Sequence, residues 1–102
     1  MSILGKRLKE ARKNAGLSQE RLGILAGIDE MSASARMNQY ERGKHTPDFS
    51  IVKKIAEVLC LPPTYFYVDD DELAKMIILF CKLQDDERHK AIEIVENWLN
   101  GR

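Results

Sequence analysis

The sequence predicts an all-α fold, and three observations carry the prediction. Apolar residues recur at three- and four-residue spacing through almost every segment, cap residues and glycines punctuate those segments, and no stretch alternates apolar and polar residues over a useful length. A chain of 102 residues is one domain's worth and can bury a core without disulfides or a metal. A hydrophobic content of 44% with 31% charged residues excludes a disordered, collagen-like or disulfide-scaffold protein.

Taken in order, Ser2 is placed to cap a first helix whose core stripe is Leu4, Leu8, Ala11 and Ala15, with Lys6, Lys9, Glu10 and Lys13 outside it. Gly16 ends that helix, and Leu17 falls where a C-capping motif makes its hydrophobic contact. Ser18 caps a short helix from Gln19 to Ala26, with Leu22, Leu25 and Ala26 inward and Gly27 as its stop. A further helix ends at Tyr40-Glu41-Arg42-Gly43, before Pro47 halts the chain and Asp48 caps the next helix. Ile51, Ile55, Val58 and Leu59 form the stripe of that helix. Pro62-Pro63 breaks it after Leu61 and opens a single turn carrying Tyr65 and Phe66. Asp69-Asp70-Asp71-Glu72 favours another start, because negative charge is stabilised at the positive end of the helix dipole, and Leu73, Met76, Ile77 and Phe80 supply the stripe. Asp85-Asp86-Glu87 repeats the start signal for a last helix with Ile92, Val95, Trp98 and Leu99 on one face, ending at Gly101.

Sixteen Lys and Arg balance sixteen Asp and Glu, a neutrality that by itself argues against a nucleic-acid partner. The balance conceals a division. Residues 1–61 hold eleven basic and seven acidic side chains, an excess of four positive charges; residues 62–102 hold five and nine, an excess of four negative ones. A basic first part joined to an acidic second part suggests that the chain meets a polyanion with one and does something else with the other. The longest apolar run, Met76 to Cys81, lies between Lys75 and Lys82 and is far short of the roughly 20 residues of a membrane span. The N-terminal Met-Ser-Ile-Leu-Gly-Lys-Arg has no signal-peptide core, so a cytoplasmic location is expected. Cys60 and Cys81 sit in apolar helical patterns and read as buried small hydrophobes. Together with His45 and His89 they are too scattered for a zinc site, and no metal or cofactor is expected. Neither histidine has a Ser, Cys or carboxylate in a triad-like pattern near it, so no enzyme is expected. Tyr65, Phe66 and Phe80 read as core, and Lys6, Arg7, Lys53 and Lys54 as surface charge.

The strongest pattern is a pair of short helices separated by a glycine turn, the second closing in Tyr-Glu-Arg-Gly. Gly16-Leu17-Ser18-Gln19-Glu20-Arg21-Leu22-Gly23, then Ala26-Gly27-Ile28, then Asn38-Gln39-Tyr40-Glu41-Arg42-Gly43-Lys44 with Pro47, resembles the helix-turn-helix of phage repressors and Cro proteins, the XRE family, over residues 3–67. The resemblance implies a five-helix lambda-repressor-like domain over residues 1–67 in a prokaryotic or phage protein. Residues 68–102 are then a C-terminal two-helix extension, a helical hairpin expected to dimerise while packed on the same domain.

The residues themselves suit that role. From Ser34 to Arg42 the chain can turn Met37 and Tyr40 inward and Ser34, Arg36, Asn38 and Gln39 outward, and Arg and Gln can contact guanine and adenine bidentately. Ser18 leaves backbone N–H groups free for a DNA phosphate at the start of its helix, where Gln19 can add a side-chain hydrogen bond. By resemblance Ser34, Ala35 and Gln39 face bases, Gln19 touches the DNA backbone and anchors the recognition helix, and Lys44, His45 and Thr46 follow the sugar-phosphate chain. Arg12 and Glu41 match a partly buried ion pair of architectural role. The expected base contacts are therefore Ser34, Ala35, Arg36, Asn38 and Gln39, and the expected backbone contacts Ser18, Gln19, Lys44, His45 and Thr46.

Two departures from the family stand out. The stretch from Gly27 to Glu41 is four residues longer than usual, so Asp29-Glu30-Met31-Ser32 looks like an insertion. Either the recognition helix begins a turn early under an Asp29 cap, or Ser32 or Ser34 caps it after a longer turn. Gly23 stands where alanine is usual, and the fold is expected to tolerate it. In the C-terminal part Trp98 and Leu99 are the expected dimer anchors. The reading that results is a sequence-specific DNA-binding transcription regulator, a homodimeric repressor on double-stranded DNA. Its rival is a protein-interaction module, such as an antitoxin or regulatory partner, whose C-terminal helices bind another protein.

Overall fold

The computed structural model describes residues 2–102: helices α1 (Ile3–Asn14), α2 (Gln19–Leu25), α3 (Glu30–Glu41) and α4 (Phe49–Leu59), a single 3₁₀ turn (Pro63–Tyr67), then α5 (Asp71–Cys81) and α6 (Asp85–Asn100). No strand occurs among the described residues, and no helix is long and apolar enough to cross a membrane.

The helices start on side-chain caps. Ser2 Oγ accepts from the Gly5 N–H at 2.9 Å, Ser18 Oγ from Arg21 at 3.0 Å, Asp48 Oδ1 from Ile51 at 3.0 Å, and Asp70 Oδ1 from Glu72 and Leu73 at 2.8 and 3.1 Å. Helices α1 to α4 end in one recurrent turn, in which an N–H two or three residues past the helix reaches back five residues to a carbonyl of its last turn. Leu17 bonds Arg12 O at 3.2 Å, Ile28 bonds Gly23 O at 2.9 Å, Lys44 bonds Gln39 O at 3.0 Å and Leu61 bonds Ala56 O at 3.0 Å. Glycine supplies the left-handed residue in three of these turns; in the fourth it is Cys60, at φ 55°. Cys60 is therefore not a buried hydrophobe: it is exposed, in a conformation that costs a side-chain-bearing residue roughly 1 kcal/mol.

Leu8 and Ala11 of α1, Leu22 of α2, Ala33, Met37 and Tyr40 of α3, Val52, Ile55 and Ala56 of α4, and Tyr65 and Phe66 close one core. Burying a side chain of Leu or Met size stabilises by about 1.5–3 kcal/mol. The Tyr65 and Phe66 rings meet edge to face, centroids 5.2 Å apart. Ala15 and Leu25, inward by helical count, are exposed, because each lies at a helix end where the chain turns away.

Helix α5 reaches this core through Ala74, Ile77 and Ile78; of the expected stripe Ile77 packs and Phe80 is half-buried, whereas Leu73 and Met76, like Leu79, are exposed. Its phase is fixed by Arg7. That side chain is 3% exposed rather than surface charge: Nε donates to Val68 O at 2.8 Å, Nη2 to Asp69 O at 2.8 Å and to Asp71 Oδ1 at 2.9 Å, and the guanidinium lies over the Tyr65 ring. Lys6 joins Asp71 at 3.0 Å. One α1 residue thus holds two carbonyls and a carboxylate of the segment that launches α5.

Beyond Cys81 the packing stops. No residue of α6 is buried, and its exposed face carries Ile92, Ile94, Val95, Trp98 and Leu99. Of the two last helices, α5 contributes residues to the core and α6 contributes none among the described residues. The reason is that the apolar positions of α6 find no counterface within the chain. The radius of gyration, 15.8 Å against about 13 Å for a compact chain of this length, and the 55 Å long axis reflect that projection. The joint is nonetheless defined. Arg88 of α6 donates to Phe80 O at 3.2 Å and Cys81 O at 3.1 Å, capping the end of α5 while lying over the half-buried Phe80 ring.

Candidate nucleic-acid interface

The pair α2 and α3 forms the most extensive helix contact among the described residues, and Gly23 allows its close approach. A Cβ built at Gly23 would meet Ala33 Cβ at 2.9 Å and Met37 Cγ at 3.1 Å. Glycine is not merely tolerated here: an alanine would force the helices apart.

Of the two starts open for the recognition helix, the structure has the earlier one. Asp29 Oδ2 accepts from the Met31 N–H at 3.1 Å and α3 begins at Glu30, so the additional residues form a helical turn rather than a longer loop. Ala33, Met37 and Tyr40 face the core, which points Ala35 directly outward. Met31, Asn38, Gln39 and Arg42 then lie within about 60° of Ala35, and Ser34 and Arg36 fall on the flanks, roughly 100° to either side. Ser34, Ala35 and Arg36 are exposed, and Asn38 and Gln39 half-buried. Met31 and Arg42 join this face in addition to the residues expected from the sequence. Carrying the helix back one turn, four residues before Ala35, is the signal that finds Met31.

The far end of α3 is locked by a charged knot. Glu41, 3% exposed, receives Arg12 Nε at 2.6 Å and Arg12 Nη2 at 3.1 Å, a bidentate pair, while Arg12 Nη1 donates to Leu17 O at 2.9 Å. Gln19 Nε2 donates to Glu41 Oε1 at 3.1 Å and to Asn38 Oδ1 at 3.3 Å. Both donors of the Gln19 amide are thereby spent on α3, which makes Gln19 a strut between the two helices and leaves no side-chain donor for a phosphate. Asn38 keeps its own amide N–H groups free.

Around this face, Ser18 is exposed at the start of α2, and Lys44, His45 and Thr46 are exposed in the loop that follows α3. The loop is closed by Asp48, whose carboxyl is held below its ordinary range by the Ile51 N–H and the Ser50 hydroxyl. Trp98 and Leu99 lie on α6, outside this surface, with Trp98 77% exposed.

A family model described as a helix-turn-helix domain matches residues 5–72, a span that takes in the first core and the start of α5. The crystal structure of the transcriptional regulator BswR is 44% identical, covers 95% of this chain and 96% of its own, and superposes with a TM-score of 0.90. A complex of SinR and SinI proteins gives a TM-score of 0.65 at 20% identity over 97% of this chain and 99% of its own, a likeness of fold. Comparison with curated protein sequences gives no match. The match over residues 5–72 and the 44% identity with a transcriptional regulator along nearly the whole chain establish that it belongs to the helix-turn-helix domain family, of the XRE type.

Proposed function

We propose that the chain is a sequence-specific DNA-binding transcription regulator of the cytoplasm that works as a homodimer, most simply a repressor that occludes a promoter. The observation that carries this reading is the outer face of α3, held by Arg12, Gln19 and Glu41 with Ala35, Arg36 and Arg42 exposed on it, in a protein 44% identical to a transcriptional regulator. Such a helix suits the major groove, with Ala35, Asn38 and Gln39 toward base edges, Ser34 and Arg36 on the flanks, and Ser18, Lys44, His45 and Thr46 along the phosphates. Gln19 supports the site by positioning α3.

Dimerisation is supported by α6. A single recognition helix reads few base pairs, whereas two copies present a pair to half-sites about one DNA turn apart. Trp98 and Leu99 then anchor the contact. A different protein covering that face is the second reading, favoured by the same unburied helix.

Selection of duplexes from a random library, followed by titration at two salt concentrations, tests the proposal. An inverted repeat with a steep salt dependence supports a dimeric reader; no enrichment, with no binding at low salt, refutes it. Arg36→Ala and Gln39→Ala are each expected to weaken specific binding by about 1–3 kcal/mol, and equal losses on random DNA exclude base readout.

A further inference from the structure

Met31 is the most exposed large hydrophobic side chain among the described residues, at 92%, and it stands alone on the polar outer face of α3. The next most exposed large apolar side chains, Trp98 at 77% and Ile94 at 65%, belong to α6. Nothing in the chain contributes to covering Met31. Its backbone is nevertheless fixed, since its N–H is the one bound by the Asp29 cap. It sits four residues before Ala35 and eight before Gln39, on the side opposite the fully buried Ala33 and Met37.

We propose that Met31, carried by the additional first turn of α3, reads the 5-methyl group of a thymine in the major groove. This rests on the DNA-reading role of α3 set out above. The N-terminal residues of a recognition helix are the ones that reach base edges. The thymine methyl is the apolar mark on those edges, and it is recognised by apolar contact rather than hydrogen bonding. An unbranched thioether adapts its shape to such a contact and loses hydration in making it. The neighbouring carboxylates of Asp29 and Glu30 disfavour phosphate contact at this turn, so the gain available there lies at the bases.

The test uses the full chain. Sites are selected with the wild type and with Met31→Ala, and the best wild-type duplex is then titrated with each thymine replaced in turn by deoxyuridine, which removes only the methyl. The wild type is expected to lose about fourfold in affinity at one thymine per half-site, the factor one buried methyl group supplies. Met31→Ala is expected to bind the thymine and uracil duplexes equally and to select sites without that thymine, and Met31→Leu to keep the preference. Unchanged thermal unfolding confirms that both variants fold. The proposal is overturned if the wild type shows no methyl dependence at any position, or if Met31→Ala retains it. A wild type that selects no site at all overturns the DNA-reading role and this contact with it, an outcome distinct from selection without methyl dependence.

Discussion

Residues up to Tyr67 and residues of α6 obey opposite rules of burial. In the first region nearly every apolar position at helical spacing finds a partner, and even charged groups such as Glu41 and Arg7 are enclosed and hydrogen-bonded. In α6 the spacing is equally regular, yet nothing is buried. The difference teaches that amphipathic pattern and caps specify a helix, while a counterface specifies its packing. Among the described residues α6 has no such counterface.

Breaking the enclosed knot gives the largest effect. Glu41→Ala leaves Arg12 without its carboxylate and Gln19 without one of its two acceptors, so urea unfolding is expected to show a loss of about 3–5 kcal/mol. A loss below about 1 kcal/mol would mean that the knot is solvated in practice. Next comes the helix crossing. Gly23→Ala is expected to destabilise by about 1–3 kcal/mol, and adding Ala33→Gly should recover part of it, because the clash is with the Ala33 methyl. Additive losses would exclude that clash.

The other region is expected to respond in the reverse way. Trp98→Ala with Leu99→Ala should change the unfolding of the dilute chain by less than about 0.5 kcal/mol, since neither side chain is enclosed, while lowering the self-association measured by sedimentation equilibrium. Unchanged association would move the interface elsewhere. The smallest effect is expected at the bridge between the regions. Lys6, and after it Arg7, hold the Asp71 carboxyl below its ordinary value, so the folded state takes up this proton less readily than the unfolded chain. The contribution is complete above the ordinary carboxylate pKa and is lost as pH falls through the depressed one. Asp71→Asn should therefore flatten the acid limb of the stability profile, and an unaltered limb would rule the bridge out as its source.

Much of this was legible in the sequence, because short-range signals carry it. Ser2, Ser18, Asp48 and Asp70 cap through contacts two or three residues away, and the glycines at 16, 27 and 43 each end a helix. The sequence allows two starts for α3, and the Asp29 cap selects the earlier one. What escaped was set by partners distant in sequence. Arg7 looked like solvated charge because its acceptors lie more than sixty residues on, at Val68, Asp69 and Asp71. Cys60 looked buried because helical periodicity runs into the turn that reverses its side chain. Leu73 and Met76 are at least as apolar as the Ala74 and Ile78 that meet the core, so periodicity alone does not choose between the two faces of α5, whose start is tied to α1 by Arg7 and Lys6.

The Arg88 cap gives the last two helices a mechanical property. Because a side chain of α6 binds the carbonyls that end α5, the direction of one helix is slaved to the seating of the other. Helix α6 is about 24 Å long at its ordinary rise, so a tilt of roughly 10° at the joint swings its tip by about 4 Å. The lever turns small adjustments where α5 meets the core into changes on the scale of the spacing between base pairs.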